Sequence, residues 1–492
     1  MDTDWAQGLA EGLVGNGCQY LSIALEEKGN EIREVVNRAA AKFNFPLHAE
    51  EAISEKIGYE IALTYSYGKK RSAFLTHGFS LPVAMDPLMS SIYTGVAGGF
   101  VVVALDATPS LPYGSKSDPV SLAMFAKMPV VELSSFEELG KGLERAFSLS
   151  EKYETPIMLH LDTKIAGGKV SGGGRPGRKR KADFEKNPAR WAATPRFRFI
   201  LHKKLNQRLK EIAESGTEEN VTYSGGEGKD WGIVCNQANR LLIERWAERH
   251  NIPVLAVSVP FPLPVAPVRD FVKSVKHAIM VEDRFPTMQF QLPEKRKIEG
   301  RLTDERFCRV YSWTEDALLS LLNEVILGKE GSEVNDSALR EEGQRKTPLR
   351  LFLESMKRKN RSLLVVADKT PLTMDLPADH FVSRGGAISF AAGYAHALGG
   401  EASKKIVGIT DSAALLHYGM QAVTNAVYNT IPVRCLLLVK PEDEEAVKRF
   451  LNAMKNVAVV PLNPSARDAE RRFLEPFSQP VTFYWTSVEE KV

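Results

Sequence analysis

Short apolar runs, rich in β-branched residues and mostly ending on a polar residue that is often Asp, recur along this chain of 492 residues. They occupy 73–76, 100–106, 156–162, Trp231–Asn236, 253–259, 277–283, 363–368, Ile406–Asp411, Val433–Val439 and 481–485. Between many of them lie segments with apolar spacing near 3.6 residues, for example 241–249 and 137–152. A strand of unbroken Val, Ile and Leu needs helices on both faces of its sheet, since a solvated face would select alternation. The pattern therefore predicts an α/β fold with mostly parallel sheets. Ligands of such sheets sit in the crevice beyond the carboxyl ends of the strands, which makes the strand-end polar residues candidates. Each such Asp taken alone reads as a helix cap or turn former.

Two stretches break the pattern. The first, about 164–229 with its linker at 166–225, contains GGGRPGRKRK, then FEKNPARWAATPRF, a helical stretch at 200–215 and SGGEGKD. Its Gly, Pro and charge content predicts a long basic connection with one helix inside it. The second, 328–347, is polar with mixed charge. Three α/β units follow at 1–165, 226–327 and 348–492, in keeping with roughly 150 residues per domain. The run Arg175, Arg178, Lys179, Arg180, Lys181 could serve nucleic acid, but no RNA-binding or helix-turn-helix signature accompanies it. A solvated linker is the better reading.

Composition excludes several classes. Hydrophobic content of 43% and charged content of 25% suit a globular chain, and a net charge of +3 gives no global argument for a polyanionic partner. Cys18, Cys235, Cys308 and Cys435 never form a C-x-x-C pair, so no zinc ribbon or iron–sulfur motif can be read. The amino terminus lacks the basic-then-apolar order of a signal peptide, and runs such as 98–105 are too short to span a bilayer. A reducing cytoplasmic setting is expected. GGGRPG lacks the G-K-[ST] ending of a phosphate loop, G-x-S-x-G and H-E-x-x-H are absent, and no internal repeat is legible. His160, His202 and His396 read as structural rather than as ligands.

One constellation is more specific. KIVGITDSAALLHYGMQAVTNAVYNTIPVRCLLLVK places Asp411 at a strand end, then a helix, then a second strand ending at Val439 and Lys440. This resembles the diphosphate-binding motif of thiamine diphosphate enzymes, and most closely that of indolepyruvate:ferredoxin oxidoreductase alpha subunits. Asp411, Ser412, His417 and Asn425-Ala426-Val427-Tyr428-Asn429 match that family's stretch. AISEKIGYEIAL resembles its Asn-Glu-Lys helix, which puts the cofactor glutamate on Glu55. MDPLMSSIYTGVAGGFVVVALD, FAKMPVVE, FEKNPARW, PFPLP, IMVEDRFP and SRGGAISFAAGYAHA resemble further landmarks in the family's order, so the likeness covers nearly the whole chain.

The resemblance implies a thiamine diphosphate-binding fold with pyrimidine-binding-like (1–165), transketolase C-terminal-like (226–327) and diphosphate-binding-like (348–492) domains. It implies thiamine diphosphate and Mg²⁺ as cofactors. Glu55 would bond the aminopyrimidine ring in an acid–base role, against the plainer alternative of an exposed helix glutamate paired with a lysine. Asp411 would hold the metal through oxygen, Ser412 would donate to a phosphate, and Gly385 and Gly386 would let backbone N–H groups approach it, with His417 alongside.

The sequence also departs from the family. Thr410 replaces the motif's Gly, and Lys440 stands where a metal-binding Asn is usual, although an ammonium has no lone pair for a cation. Glu442 or Asp443 could substitute for that Asn, or Lys440 could itself pair with the diphosphate. The early Tyr-Pro-Gly-Thr-Pro-Ser loop is missing, since GNGCQYLSIALEEKGNEI runs directly into a helix, and ADKTPLTMD replaces the Cys-Pro-x-Cys-Pro stretch. A carboxyl-terminal ferredoxin-like domain is not expected, nor an iron–sulfur cluster in this chain. The function implied is oxidative decarboxylation of an aryl-pyruvate-type 2-oxoacid, with electrons passed to a gamma-type partner subunit or an external ferredoxin. The alternatives are a non-redox 2-oxoacid decarboxylase and a degenerate, non-catalytic paralogue. The family's cofactor lies between domains of different chains, so at least a dimer is implied, with no membrane or nucleic-acid partner.

Overall fold

The computed structural model describes residues 4–25, 29–106, 118–162, 176–191, 195–214, 219–293, 297–310, 312–329, 347–399, 405–475 and 479–488. The chain divides into two compact units, Met1–Ala338 and Leu339–Val492. The first unit holds two sheets and the second holds one.

The first sheet comprises β1 (Cys18–Ala24), β2 (His48–Glu51), β3 (Arg71–His77), β4 (Phe100–Leu105), β5 (Val130–Glu132) and β6 (Ile157–Leu161), in the order β2-β1-β3-β4-β6-β5. Every neighbouring pair is parallel. Alternate residues of one strand feed opposite cores. Val101 and Val103 join Leu9, Leu13, Val36 and Phe147 on one face. Phe100, Val102 and Ala104 join Tyr59, Phe74 and Leu88 on the other. Both faces are thus covered by helices, which is why β4 carries no polar residue. Tyr59 meets Phe74 and Phe100 edge-on at ring distances of 5.7 and 5.1 Å, an arrangement worth roughly 0.5–1.5 kcal/mol per pair beyond area burial.

The second sheet comprises β7 (Val221–Gly225), β8 (Trp231–Asn236), β9 (Pro253–Val257) and β10 (His277–Val281), ordered β10-β8-β9-β7. Here β7 runs antiparallel to β9 and the other pairs are parallel. The edge of the first sheet joins the chain after β9: Val130 N–H donates to the Phe261 carbonyl at 2.7 Å and Glu132 N–H to the Ser258 carbonyl at 2.8 Å.

The second unit's sheet comprises β11 (Leu364–Asp368), β12 (His380–Val382), β13 (Ile406–Asp411), β14 (Val433–Val439), β15 (Val457–Pro461) and β16 (Val481–Ser487). Its order is β12-β11-β13-β14-β16-β15, again all parallel. Numbered within its own unit, this is the same sequence of strands as in the first sheet: second, first, third, fourth, sixth, fifth. The architecture repeats although the sequence shows no repeat, because strand order follows from the burial pattern and the hand of the crossovers rather than from residue identity. In each sheet the chain leaves its first strand toward one edge and resumes on the other side, creating a switch point between the first and third strands where ligands gather.

The ten runs predicted from sequence are all strands. β1, β2, β5, β7, β12 and β15 were not among them; Gln19 and Ser22 interrupt the apolar run of β1, and the others have three to five residues. The basic connection is also not free. Its helix, Pro195–Glu214, starts earlier than predicted and buries Leu201, Leu205 and Ile212 within the first unit. Arg175 lies outside the described residues.

Candidate functional site

In the first unit, the helix after β2 spans Glu55–Tyr67 and carries Glu55 at its first position, only 2% exposed. Ala52 N–H donates to the Ile23 carbonyl at 2.7 Å, tying this entry to the carboxyl half of β1. One turn on, Gly58 has no room for a Cβ: it would stand 2.8 Å from Ser22 Oγ of β1 and 3.0 Å from the Phe74 ring of β3. The glycine thus seats the helix against β1 and β3, the two strands flanking the switch point. Lys56 pairs with Glu60 at 3.2 Å and Asp86 at 2.9 Å, so the surface lysine–glutamate pair is formed by Glu60. Glu55 is instead a buried carboxylate.

The same unit holds a buried ionic cluster at the carboxyl ends of β4, β5, β6, β8 and β10. His160 Nδ1 lies 2.9 Å from Glu132 Oε1, and its Nε2 lies 3.2 Å from Asp106 Oδ2. The Arg284 guanidinium also binds Asp106, and Asn236 donates to Glu132 at 3.1 Å. Asn239 donates to Asn236 at 2.6 Å and to Asp283 at 2.9 Å. Burial alone would lower the His160 pKa, but Asp106 and Glu132 raise it to about 10, so the ring is an imidazolium. Burial alone would raise Asp106, but His160 and Arg284 hold it at about 2. Next to this cluster, burial pushes Glu282 up to about 8, although its carboxyl accepts from the Gln289 and Met288 N–H groups. Of the three histidines read as structural, His160 is therefore the hub of a charged network. His202 stacks on Tyr93 and His396 faces solvent.

In the second unit, Asp368 and Asp411 end β11 and β13, the strands flanking the switch point. Both are buried. Asp411 Oδ1 accepts from Ala414 N–H at 2.8 Å, capping the short helix it begins. The Ser412 hydroxyl donates to Asp443 Oδ2 at 2.6 Å and accepts from Lys440 N–H at 3.2 Å. The structure thus places Asp443 beside the Asp411-Ser412 pair, with Lys440 half-buried next to it. His417 is buried on a π-helical turn, edge-on to the Tyr418 ring at 4.6 Å. The neighbouring Asn425-Ala426-Val427-Tyr428-Asn429 match turns Asn425, Tyr428 and Asn429 to solvent.

Gly385 has φ +77°, and a Cβ there would sit 2.6 Å from Tyr418 Cβ. Gly386 caps helix Ala387–Leu398. Ala387 N–H donates to Asp368 Oδ1 at 2.8 Å, Gly385 N–H also serves that carboxyl, and Thr410 Oγ1 donates to Asp368 Oδ2 at 2.6 Å. The replacement of the motif's Gly by Thr410 therefore links the two strand ends. Burial, reinforced by Asp411, raises Asp368 to about 7 against those three donors.

The residues present fit a diphosphate–metal group by chemistry. The glycine turn and helix N-terminus already hold a carboxyl group, that of Asp368, which shows that their N–H groups are aimed at an acceptor. Asp411 and Asp443 supply hard oxygen, and Mg²⁺ commonly takes only one or two carboxylates beside phosphate oxygens. No group of three or more metal-binding side chains occurs among the described residues. Asp368 and the His160 network were missed by sequence reasoning, although 363–368, 100–106 and 156–162 had been read as strands ending on Asp. Only three-dimensional pairing distinguishes such an Asp from an ordinary cap.

No family model matches the chain. It is 25% identical over 453 residues to indolepyruvate oxidoreductase subunit IorA of Methanothermobacter thermautotrophicus, covering 85% of this chain and 70% of that one. It is 25% identical over 480 residues to the subunit of that name from Pyrococcus abyssi, covering 88% and 72%. A 2-oxoglutarate:ferredoxin oxidoreductase from Magnetococcus marinus superposes at TM-score 0.47 and 16% identity, over 60% of this chain and 61% of that one. Among the described residues no helix is long and apolar enough to cross a membrane.

Proposed function

We propose that this relative of indolepyruvate oxidoreductase subunit IorA serves as the alpha-type subunit of a thiamine diphosphate-dependent 2-oxoacid:ferredoxin oxidoreductase. The observation that carries the reading is the burial of Glu55 at the head of its helix, against the two strands of a switch point. The helix start and Gly58 hold that carboxyl against β1 and β3, where the family resemblance puts the group that bonds the aminopyrimidine ring. Gly385, Gly386, Ser412, His417 and Lys440 would hold the diphosphate, and Asp411, with Asp443, the Mg²⁺. When bound, the cofactor supplies an electron sink for a carbanion. Glu55 positions a proton at the ring nitrogen, the glycine turn lets the backbone come close to phosphate oxygens, and Lys440 offers them positive charge. The substrate would be an aryl-pyruvate-type 2-oxoacid, with electrons leaving to an iron–sulfur acceptor on a gamma-type subunit or a ferredoxin in the cytoplasm. Ile53, Ile57 and Ile61 are partly exposed beside Glu55, which supports a site completed by a second chain in a dimer or heteromer.

A second reading, a non-catalytic paralogue, is favoured by one observation: Asp368 occupies the N–H groups a diphosphate would need. Calorimetric titration of the purified chain with thiamine diphosphate and Mg²⁺ separates the two. Saturable binding is expected, with Glu55→Ala losing C2-proton exchange of the cofactor while keeping diphosphate affinity. No binding at millimolar ligand would leave the paralogue reading standing.

A further inference from the structure

The basic connection is pinned to the amino-terminal end of the first sheet, away from the strand ends that carry Glu55. Gly177 N–H donates to the Val14 carbonyl at 3.0 Å, Arg180 N–H to Gln19 Oε1 at 2.9 Å, and Asp183 N–H to the Gly68 carbonyl at 3.1 Å. The two backbones touch. A Cβ on Gly177 would stand 2.4 Å from Gly17 N, and one on Gly17, at φ +68°, would stand 2.9 Å from the Arg178 carbonyl. Only glycine at both positions allows this approach. Between the connection and the starts of β1 and β3 lies a cavity of about 630 Å³ lined by Asn16, Arg71, Arg178, Lys179, Arg180 and Lys181.

The charge is one-sided. Arg71 and Arg180 share one carboxylate, Glu151, at 2.7 and 2.8 Å, and Arg71 also donates to the Asn16 carbonyl at 2.7 Å. These bonds fix two guanidinium groups at the wall. Arg178, Lys179 and Lys181 are exposed and have no ion pair among the described residues. A freely solvated linker would separate such charges. Here backbone hydrogen bonds hold them together, so an anion from outside would relieve their mutual repulsion. Arg71 spends its fork on Glu151, and the exposed guanidinium of Arg178 on the cavity wall suits the bidentate geometry of phosphate oxygens.

We infer that this cavity is a binding site for a small phosphorylated ligand carrying two or more phosphate groups. Its volume falls in the usual range for small-molecule pockets. No aromatic ring lines it among the described residues, so it offers no platform for stacking the bases of a single strand. The site is independent of the thiamine diphosphate reading.

The test is calorimetric titration of the full chain with inorganic tripolyphosphate, free of Mg²⁺, at 50 and 200 mM NaCl. Saturable one-to-one binding that weakens at the higher salt is expected. The variant Arg178→Ala/Lys179→Ala/Lys181→Ala removes only exposed side chains and should keep the thermal midpoint while losing affinity tenfold or more. Arg178→Lys, which keeps charge but not the fork, should also lose affinity. Absence of binding overturns the proposal. Unchanged affinity in the triple variant overturns it by placing the anion elsewhere, for example on the second unit. Tighter binding of single-stranded RNA that grows with its length would overturn it in favour of a nucleic-acid surface.

Discussion

Replacing Asp368 by Asn tests whether a buried carboxyl at the second unit's switch point is held in its neutral form. Its pKa is raised from 3.8 to about 7 by burial and by Asp411. A folded-state value above the unfolded one means that the protonated form is favoured in the native state. The corresponding stability is fully present below about pH 3.8 and is lost as pH rises through about 7. A rise of about three units corresponds to a ceiling of about 4 kcal/mol, of which about 2–3 kcal/mol falls between pH 5 and 8. Asn cannot ionise, and its carbonyl still accepts from Ala387 N–H while its amide can donate to the Thr410 hydroxyl. Asp368→Asn should therefore gain about 2 kcal/mol or more on wild type between pH 5 and pH 8. The assay is urea unfolding at both pH values, followed by hydrogen exchange of peptides covering Leu364–Asp368 and Ile406–Asp411. A difference between variant and wild type that stays constant over that range would refute the reasoning. So would a variant that becomes relatively less stable at pH 8.

His160→Asn removes the centre of the first unit's ionic cluster and should cost about 3–5 kcal/mol, read by urea unfolding with tryptophan fluorescence. Because its pKa is raised to about 10, the His160 contribution is complete below about pH 6.5 and is lost as pH rises through about 10. The unfolding midpoint of wild type should therefore fall more steeply above pH 7 than that of the variant. Gly385→Ala meets Tyr418 Cβ at 2.6 Å in a left-handed backbone and should cost about 1–3 kcal/mol in thermal unfolding. Lys56→Ala removes only two exposed ion pairs and should leave the thermal midpoint essentially unchanged, in contrast to Glu55→Ala.

The strands legible in the sequence share one property: they are buried on both faces, so their apolar runs are continuous, as in Val433–Val439. Those that escaped are mostly short or at an edge: His48–Glu51 has a partly exposed side that tolerates polar residues, and Val457–Pro461 is only five residues long and ends on Pro. The family resemblance located Glu55 and Asp411 by residue type and order. It could not reveal that Glu55 is buried while Glu60 takes the lysine, since both lie on one helix and differ only in the face presented. Nor could it show Ser412 bonded to Asp443, a contact made across the carboxyl ends of two adjacent strands.

Sequence alone determined the α/β class, the parallel strands and the identity of the strand-end carboxylates, because continuous apolar runs and their terminal Asp residues are local patterns. Tertiary structure decided which of those carboxylates act on something distant. Asp368 caps a helix that begins nineteen positions later. Asp106 meets a histidine and an arginine from other strands. The basic run Arg178 to Lys181 closes a cavity against Arg71. Each depends on contacts between residues far apart in the chain, and so on strand order and burial, which local spacing does not encode.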